Sequence, residues 1–349
     1  MRPEQAVGKQ RDPGDDRHPG QHRDPVAANA EPLAADRVPE LGPIAILPAE
    51  REPFTSAVRT SGGAIAPLND DTRGVVWLSP SGAKELEKVL AAHPKVTWVQ
   101  LPWAGVDSFA AVLARFADRQ TPLWTSAKGA YAEPVAEHAL ALTLAVLRQL
   151  PDKSRARSWA GIKQGISLYG RHVVIIGAGG IAVELIRLLA PFEVRVTVVR
   201  RSGGPLPGAH RTVLVNELNS VLPEADVVIV AAAATTETRH LLGARELAAM
   251  KADAALINIA RGPLIDTDAL VEALNRGHLW GVGLDVTDPE PLPDGHPLWD
   301  APRVVITSHC ADTPEMTEPL LAERIALNIA ALVSGSGRFV GVVDPELGY

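Results

Sequence analysis

The amino-acid sequence predicts an α/β protein in which a doubly wound parallel sheet is joined to a second, smaller α/β domain. Short apolar, β-branched runs alternate with helical periodicity from residue 44 onward, the pattern of parallel sheets covered by helices. One of these runs leads through a glycine-rich turn directly into a helix. The chain is 349 residues long, which is enough for two domains of ordinary size.

Residues 1–43 are predicted to be a disordered tail outside the fold. They are rich in Pro, Arg, Asp and Gly and contain no Phe, Trp or Tyr, so they offer little apolar surface to bury. No apolar core segment follows a basic region there, and we therefore expect no secretory signal.

The following segment, up to residue 126, is predicted to form the smaller α/β unit. Strands are expected at 44–48, 74–78 and 96–101, with helices at 83–92 and up to residue 116. The loop from Trp103 to Val106 follows the third strand, at the edge where open α/β sheets bind ligands.

A long helix is predicted at 133–150, with apolar residues around much of its circumference. Such a helix must be buried. Packing between domains and contact with a second subunit both satisfy this requirement.

The glycine-rich turn predicts a dinucleotide site of the Rossmann type. The apolar strand at 172–176 is followed by Gly177, Gly179 and Ala182 at the G-x-G-x-x-G/A positions, then by a helix at 183–189 and a strand at 195–200. Gly177 permits a tight turn, Gly179 admits the pyrophosphate, and Ala182 lets helix and strand pack closely. The free N–H groups at the start of the helix would hold the anion.

The second strand of this unit ends in Arg200, where NAD-binding proteins usually place an acid on the ribose 2′-hydroxyl. Here Arg200, Arg201 and Ser202 occupy that place without an acid. Two guanidinium groups and a hydroxyl suit a 2′-phosphate, so we expect NADP to be preferred over NAD. Solvated arginines and NAD are the alternative.

The alternation continues towards the C-terminus, with a last helix followed by a short tail at 339–349. Predicted strands lie at 226–234, 254–260, 281–286 and 304–308, and predicted helices at 217–222, 244–250, 267–275 and 315–333.

Charged residues follow three of these strands: Arg261, Asp285 with Glu290, and His309. In a doubly wound sheet such strand ends face the ligand crevice. Arginine can hold a carboxylate and polarise a carbonyl, and histidine can exchange a proton near neutral pH. Singly, each residue could be a surface or structural side chain. Together they suggest hydride transfer to a 2-oxo acid, with the nicotinamide cofactor carrying the hydride.

Five motifs make the chain resemble the D-isomer-specific 2-hydroxyacid dehydrogenases from residue 44 to the C-terminus. They are VAEHALALTLAVLRQLP at 135–151, GAGGIA at 177–182, NIARGPLIDTDAL at 258–270, GVGLDVTDPEPLP at 281–293 and HPLWDAPRVVITSH at 296–309. The resemblance implies a Rossmann cofactor domain at 127–309, a substrate domain at 44–126 and 310–349, and a homodimer packed through the helix at 133–150.

The resemblance also implies roles for individual residues. Arg261 would bind the substrate carboxylate and carbonyl, His309 would be the general acid, and Glu290 would hydrogen-bond His309 and favour its protonated form. Asp285 would bind the nicotinamide carboxamide. The implied cofactor set is Gly177, Gly179, Gly180, Ile181, Arg200, Arg201, Ser202, Ala260 and Asp285. The implied substrate set is Trp103, Ala104, Gly105 and Arg261, in which Trp103 either restricts the pocket or packs between the domains.

Three segments depart from the family pattern. Ser308 stands where the family often has proline, residues 310–313 replace a glycine-containing run, and Ala233-Ala234 replace a Pro-Leu pair. None of them removes a catalytic group, so they leave substrate specificity and local loop shape open.

The expected function is reduction of a small 2-oxo acid, glyoxylate or hydroxypyruvate among the candidates. A dinucleotide-sensing binding protein related to the corepressors, and a formate or phosphite dehydrogenase on the same scaffold, are the alternatives. The net charge of −7 argues against general binding to nucleic acid or anionic membranes. The single cysteine, Cys310, excludes an intrachain disulfide and suits a cytoplasmic protein. No metal site is expected.

Overall fold

The computed structural model describes residues 30–119, 121–159 and 163–345, and it confirms the predicted fold class with two parallel sheets. The four-stranded sheet has the order β1-β2-β3-β4, and the seven-stranded sheet has the order β11-β10-β9-β8-β5-β6-β7. The strands are β1 (Ile44–Leu47), β2 (Gly74–Trp77), β3 (Trp98–Gln100), β4 (Leu123–Thr125), β5 (His172–Ile176), β6 (Arg195–Arg200), β7 (Arg211–Leu214), β8 (Val227–Val230), β9 (Ala255–Asn258), β10 (Gly281–Leu284) and β11 (Val304–Ile306). The α-helices are α1 (Phe54–Thr60), α2 (Ala83–Ala92), α3 (Ala110–Arg115), α4 (Ala132–Leu147), α5 (Leu150–Ser154), α6 (Gly180–Leu189), α7 (Leu218–Val221), α8 (Ala244–Ala249), α9 (Thr267–Asn275), α10 (Pro297–Asp300) and α11 (Pro314–Ser334).

The four-stranded sheet is completed by the C-terminal part of the chain. Helix α11 packs against α1 and closes the apolar core on one face of this sheet. The predicted tail after α11 is instead partly packed, because Phe339 and Val343 are buried and Val342 pairs with Thr125 at the end of β4. Strand β4 itself was not predicted, since its three residues form too short a run to carry a period.

The segment before β1 also differs from the expectation of a tail that ends at residue 43. The Leu33 N–H donates to the Gly337 carbonyl at 2.9 Å, and Leu33 and Val38 pack against the core beneath α11. The fold therefore includes residues 30–43, while the rest of the predicted tail, residues 1–29, lies outside the described residues.

The seven-stranded sheet places β5 at its centre, between β6 and β8. All five residues of β5 are buried, as expected for a parallel strand covered on both faces. Strand order runs outward from β5 in both directions, so the crevice beyond its carboxyl end is the topological switch point. Several strands are shorter than predicted: β8 ends at Val230 and β10 at Leu284, because the following residues turn into the crevice.

Helix α4 ends at Leu147 instead of continuing to Leu150, because Gln149 adopts a left-handed conformation with φ 52° and α5 begins a new direction. One face of α4 packs on α6, β9 and β10. Leu140 and Leu144 are only partly buried, and Ala141 is exposed. The described chain thus buries one side of this helix and leaves an apolar strip on the other.

The chain passes between the two sheets twice, at residues 126–131 after β4 and at residues 309–313 before α11. The first crossing is held from α11 by Arg324, which is fully buried. Its guanidinium group donates to the Ser126 carbonyl at 2.7 Å and to the Lys128 carbonyl at 2.9 Å. No helix within the described ranges is long and apolar enough to cross a membrane.

Candidate active site

A cleft of about 990 Å³ runs between the two sheets and contains most of the predicted site residues. Those that line it are Trp103, Ala104, Gly105, Gly177, Gly179, Gly180, Ile181, Arg200, Arg201, Ser202, Arg261, Asp285 and His309. Glu290 and Ala260 do not line it: Glu290 stands behind His309, and Ala260 is buried beside Arg261.

The glycine turn at the start of α6 has the backbone that a phosphate group requires. Gly177 has φ +121°, and a Cβ atom there would lie 2.4 Å from the Ala231 carbonyl oxygen, so only glycine fits. At Gly179, which caps α6, a Cβ atom would meet nothing within 4 Å, and no side chain caps the helix. The first N–H groups of α6 thus face open space and can bind an anion.

Arg200 lies at the end of β6, and its guanidinium group uses only some of its N–H donors within the described residues. Its Nη1 donates to the Gly204 carbonyl at 3.0 Å, and Gly203, with φ +97°, leaves room for the guanidinium group. The buried Nε has no hydrogen-bond partner among the residues that the structure describes. Arg201 and Ser202 follow on the surface of the same loop. These residues lie where the ribose of a bound dinucleotide would be held.

Asp285 is the most constrained charged group of the cleft, with only 2% of its surface exposed. Burial by itself raises the pKa of this carboxyl group. Hydrogen bonds from the His138 ring, the Thr307 hydroxyl and two backbone N–H groups outweigh burial and lower its pKa to about 2. Asp285 is therefore ionised, and it fixes the backbone of Cys310 and Ala311 at 3.0 and 3.1 Å.

His309 follows β11 directly and turns its side chain towards Glu290. The His309 Nδ1 and Glu290 Oε1 atoms are 2.6 Å apart, and Glu290 also accepts the Thr287 N–H at 3.3 Å. His309 has a left-handed backbone with φ +49°, and its N–H donates to the Asp285 carbonyl at 2.8 Å. The carboxylate orients the ring, which leaves Nε2 for a substrate.

Arg261 follows β9 and reaches across the cleft to the smaller unit. Its Nη1 donates to the Ala260 carbonyl at 2.7 Å, and its Nε donates to Asp107 at 3.1 Å. The guanidinium group lies against the backbone of Gly105, where a Cβ atom would come within 1.8 Å of Nη2. Arg261 and the loop at 103–107 therefore form one surface, at the end of the cleft that contains His309.

Sequence reasoning did not identify several residues of this site. Asp107 pairs with Arg261, Tyr131 donates its hydroxyl to the Pro102 carbonyl at 2.7 Å, and Asp312 lines the cleft. His138 on α4 lies 2.9 Å from the Thr307 hydroxyl and 3.4 Å from Asp285. The sequence indicated these residues only weakly. Asp107 and Asp312 lie a few positions from predicted site residues, and His138 belongs to the VAEH motif.

Comparison with known proteins places these features in a family. The sequence model of the D-isomer specific 2-hydroxyacid dehydrogenase NAD binding domain matches residues 139–311. Glyoxylate/hydroxypyruvate reductase B of Pectobacterium carotovorum is 34% identical over 224 residues, which are 62% of this chain and 69% of that protein. An uncharacterized protein of Corynebacterium melassecola is 39% identical over 259 residues, or 73% of this chain and 84% of that protein.

Solved structures agree with this similarity. A D-isomer specific 2-hydroxyacid dehydrogenase from Xanthobacter autotrophicus, in complex with NADPH and MES, has a TM-score of 0.73 and 26% identity. The match covers 88% of this chain and 100% of that chain. An NADPH-dependent glyoxylate/hydroxypyruvate reductase from Sinorhizobium meliloti, in complex with NADP and malonate, has a TM-score of 0.68 and 26% identity, covering 88% of this chain and 98% of that chain.

Proposed function

We propose that this protein reduces small 2-oxo acids to D-2-hydroxy acids with NADPH. The chain belongs to the family of D-isomer specific 2-hydroxyacid dehydrogenases and is an NAD(P)-dependent oxidoreductase. The observation that carries the proposal is the pairing of His309 with Glu290 at 2.6 Å, beside Arg261 in the same cleft as the glycine turn. Glyoxylate and hydroxypyruvate are the first candidate substrates, in line with the names of several relatives.

Arg261 is proposed to bind the substrate carboxylate together with the backbone N–H groups of Ala104 and Gly105. A guanidinium group meets a carboxylate with two parallel hydrogen bonds, and its charge polarises the adjacent carbonyl. Asp107 holds the Nε side of Arg261 at 3.1 Å, and Nη2, which lies over Gly105, faces the loop that supplies the N–H groups. Trp103 is proposed to limit the size of the substrate.

His309 is proposed to donate the proton to the carbonyl oxygen during reduction and to remove it during oxidation. The dinucleotide supplies or accepts the hydride when it is bound. Glu290 contacts Nδ1 and fixes the orientation of the ring, so that Nε2 is directed away from it. The chain thereby holds a proton donor beside a carbonyl-polarising arginine.

The proposed cofactor site extends from the start of α6 to Arg200, Arg201 and Ser202, with Asp285 and Ala260 at the nicotinamide end. The position of Arg200, Arg201 and Ser202 on the cleft wall supports a preference for NADP, because two guanidinium groups and a hydroxyl suit a 2′-phosphate. We further propose a cofactor domain at 127–309 and a substrate domain formed by 44–126 and 310–349. The apolar strip on α4 supports a homodimer.

The test is a panel of 2-oxo acids assayed with NADPH and with NADH, using the wild type and the His309→Asn variant. Loss of the general acid should lower kcat by about 10²–10⁴-fold while NADPH still binds. His210→Asn, at an exposed histidine before β7, is the matched control and should retain activity. Binding of NADPH without turnover of any 2-oxo acid would instead indicate a dinucleotide-sensing protein, and wild-type turnover by His309→Asn would refute the role of His309.

The Glu290→Gln variant tests the partner of His309. Glutamine keeps the size of the side chain but removes the charged acceptor at His309 Nδ1, so the ring is held less firmly in place. We expect kcat for reduction to fall while NADPH binding is unchanged. A wild-type kcat would contradict the pairing.

A further inference from the structure

Beyond the groups assigned to catalysis, the substrate end of the cleft contains a carboxylate with no assigned task. We propose that, among 2-oxo acids of three or more carbons, Asp312 selects those whose carbon 3 carries a hydrogen-bond donor, a hydroxyl or an ammonium group, and excludes those with a second carboxylate. This inference rests on the proposed function and specifies the substrate class of the same site.

The position of Asp312 is fixed by the elements on both sides of it. Before it, Asp285 holds the backbone N–H groups of Cys310 and Ala311. After it, Thr313 occupies the N-cap position of α11, which begins at Pro314 and packs into the core of the smaller unit. Asp312 therefore lines the cleft from a constrained backbone, three residues after His309.

Among the described residues, Asp312 differs in its hydrogen bonding from the three carboxylates placed near Arg261 and His309. Asp107 pairs with Arg261, Glu290 pairs with His309, and Asp285 receives four hydrogen bonds. Apart from its own backbone N–H, no hydrogen-bond or ion-pair partner of the Asp312 carboxylate is found in the described part of the chain. Burial raises the pKa of Asp312, whereas the positive charges of His309 and Arg261 act in the opposite direction. A half-buried carboxylate of this kind gains from a donor supplied by a ligand.

The surroundings indicate which part of a substrate would meet Asp312. The carboxylate of a bound 2-oxo acid is assigned to Arg261 and its carbonyl oxygen to His309. The cleft wall that remains near them includes Asp312, Trp103 and Tyr131, whose rings meet edge to face with centroids 6.4 Å apart. A substituent on carbon 3 therefore meets two aromatic rings and one carboxylate.

This wall discriminates between substituents by charge and hydrogen bonding. A hydroxyl or ammonium group donates to Asp312, and an ammonium group also gains from the aromatic faces. A methyl group leaves the carboxylate unpaired, and a second carboxylate is repelled. A hydrogen bond to a charged group corresponds to about 10- to 100-fold in kcat/KM, which is the preference we expect for hydroxypyruvate over pyruvate.

The experiment compares kcat/KM for hydroxypyruvate, 3-aminopyruvate, pyruvate and oxaloacetate at saturating NADPH. The wild type, Asp312→Ala, Asp312→Asn and the control Asp253→Ala are assayed. Asp253 is exposed before β9, at the end of the sheet opposite the cleft. The Asp253→Ala variant therefore removes one negative charge, as Asp312→Ala does, but leaves the cleft wall unchanged. Comparing the hydroxyl and amino substrates distinguishes the two donors.

We expect Asp312→Ala to reduce the ratio of hydroxypyruvate to pyruvate by at least about tenfold and to improve oxaloacetate relative to pyruvate. The Asp253→Ala variant should keep the wild-type ratios. The nearly isosteric Asp312→Asn variant tests the role of Asp312 if the alanine variant does not fold. It should lose more of the preference for the ammonium substrate than of the preference for the hydroxyl substrate. Turnover of 2-oxo acids with ratios that are the same in wild type and both Asp312 variants overturns the inference alone. No turnover of any 2-oxo acid by the wild type overturns the proposed function as well.

Discussion

Replacing Gly105 by alanine tests whether Arg261 and the loop at 103–107 act as one surface. A Cβ atom on Gly105 would lie 1.8 Å from Nη2 of Arg261, whereas ordinary contacts begin at 3.4 Å. The guanidinium group would have to move by about 1.6 Å, the difference between these two distances. Arg261 is held at 2.7 Å by the Ala260 carbonyl and at 3.1 Å by Asp107, so this movement breaks at least one of the two hydrogen bonds.

A displacement of this size should be costly for catalysis and nearly neutral for folding. Misplacement by about 1 Å at a reacting centre lowers rates by about 10²-fold, so we expect Gly105→Ala to reduce kcat/KM by that factor or more. KM should rise and kcat should fall together, because both substrate binding and carbonyl polarisation are proposed for Arg261. The loop is partly exposed and Gly105 lacks a left-handed φ, so the melting temperature should change little.

The assay is steady-state reduction of hydroxypyruvate, with NADPH binding followed by cofactor fluorescence as a separate readout. NADPH binding should be unchanged, since Gly105 lies in the smaller unit. Gly243→Ala is the control, because a Cβ atom there meets its neighbours at 3.5 and 3.6 Å and lies at the start of α8. A Gly105→Ala enzyme that keeps kcat/KM within about threefold of the wild type would refute the reasoning.

Four further outcomes are expected. Replacing Arg200 and Arg201 together by alanine should raise KM for NADPH and leave NADH nearly unchanged, and a wild type that prefers NADH would contradict the assignment. Light scattering should give the mass of a dimer, which Ala141→Arg dissociates, and a structure of the dimer should bury more than ~1,600 Å² at the interface; an active wild-type monomer would exclude the dimer. Deleting residues 1–29 should leave the melting temperature unchanged, but deleting 1–40 should lower it, because the core contacts of Leu33 are lost. Finally, the stability that Asp285 contributes is present above the pKa of about 3.8 expected for the unfolded chain and is lost as the pH falls towards about 2. Over that range, the difference in unfolding free energy between wild type and Asp285→Asn should shrink by about 2 kcal/mol. A difference that stays constant with pH would contradict this prediction.

The sequence predicted the central elements of the fold because their signals are local. Strands β5 and β6 and helix α9 match the predicted residues, since each is a regular run bounded by turn residues. Strand β7 escaped prediction because its residues, RTVL, are mostly exposed at the sheet edge and show little apolar period. The predicted helix ran beyond the end of α4 at Leu147, because that end depends on the left-handed backbone of Gln149, which an apolar pattern does not indicate.

The site was predictable where the position of a residue along a strand determines where it lies. His309, Arg261 and Asp285 each follow a parallel strand, and the topology of the sheet brings such residues to one crevice. The contact of Asp107 with Arg261 joins residues 154 positions apart in different units, so it depends on how the units pack. That the Asp312 carboxylate has no side-chain partner in the described ranges likewise becomes visible only when its neighbours are known.

The two segments in which the chain passes between the sheets also have a mechanical consequence. Any opening or closing of the cleft has to bend the chain at 126–131 and 309–313, and both are anchored, the first by Arg324 and the second by Asp285. When two parts of a chain rotate about a bend, the residues nearest the bend move least. His309 and Asp312 belong to the second of these two segments, whereas Gly105 and the start of α6 lie outside both. Closure should therefore bring the cleft walls together on a substrate while His309 keeps its place.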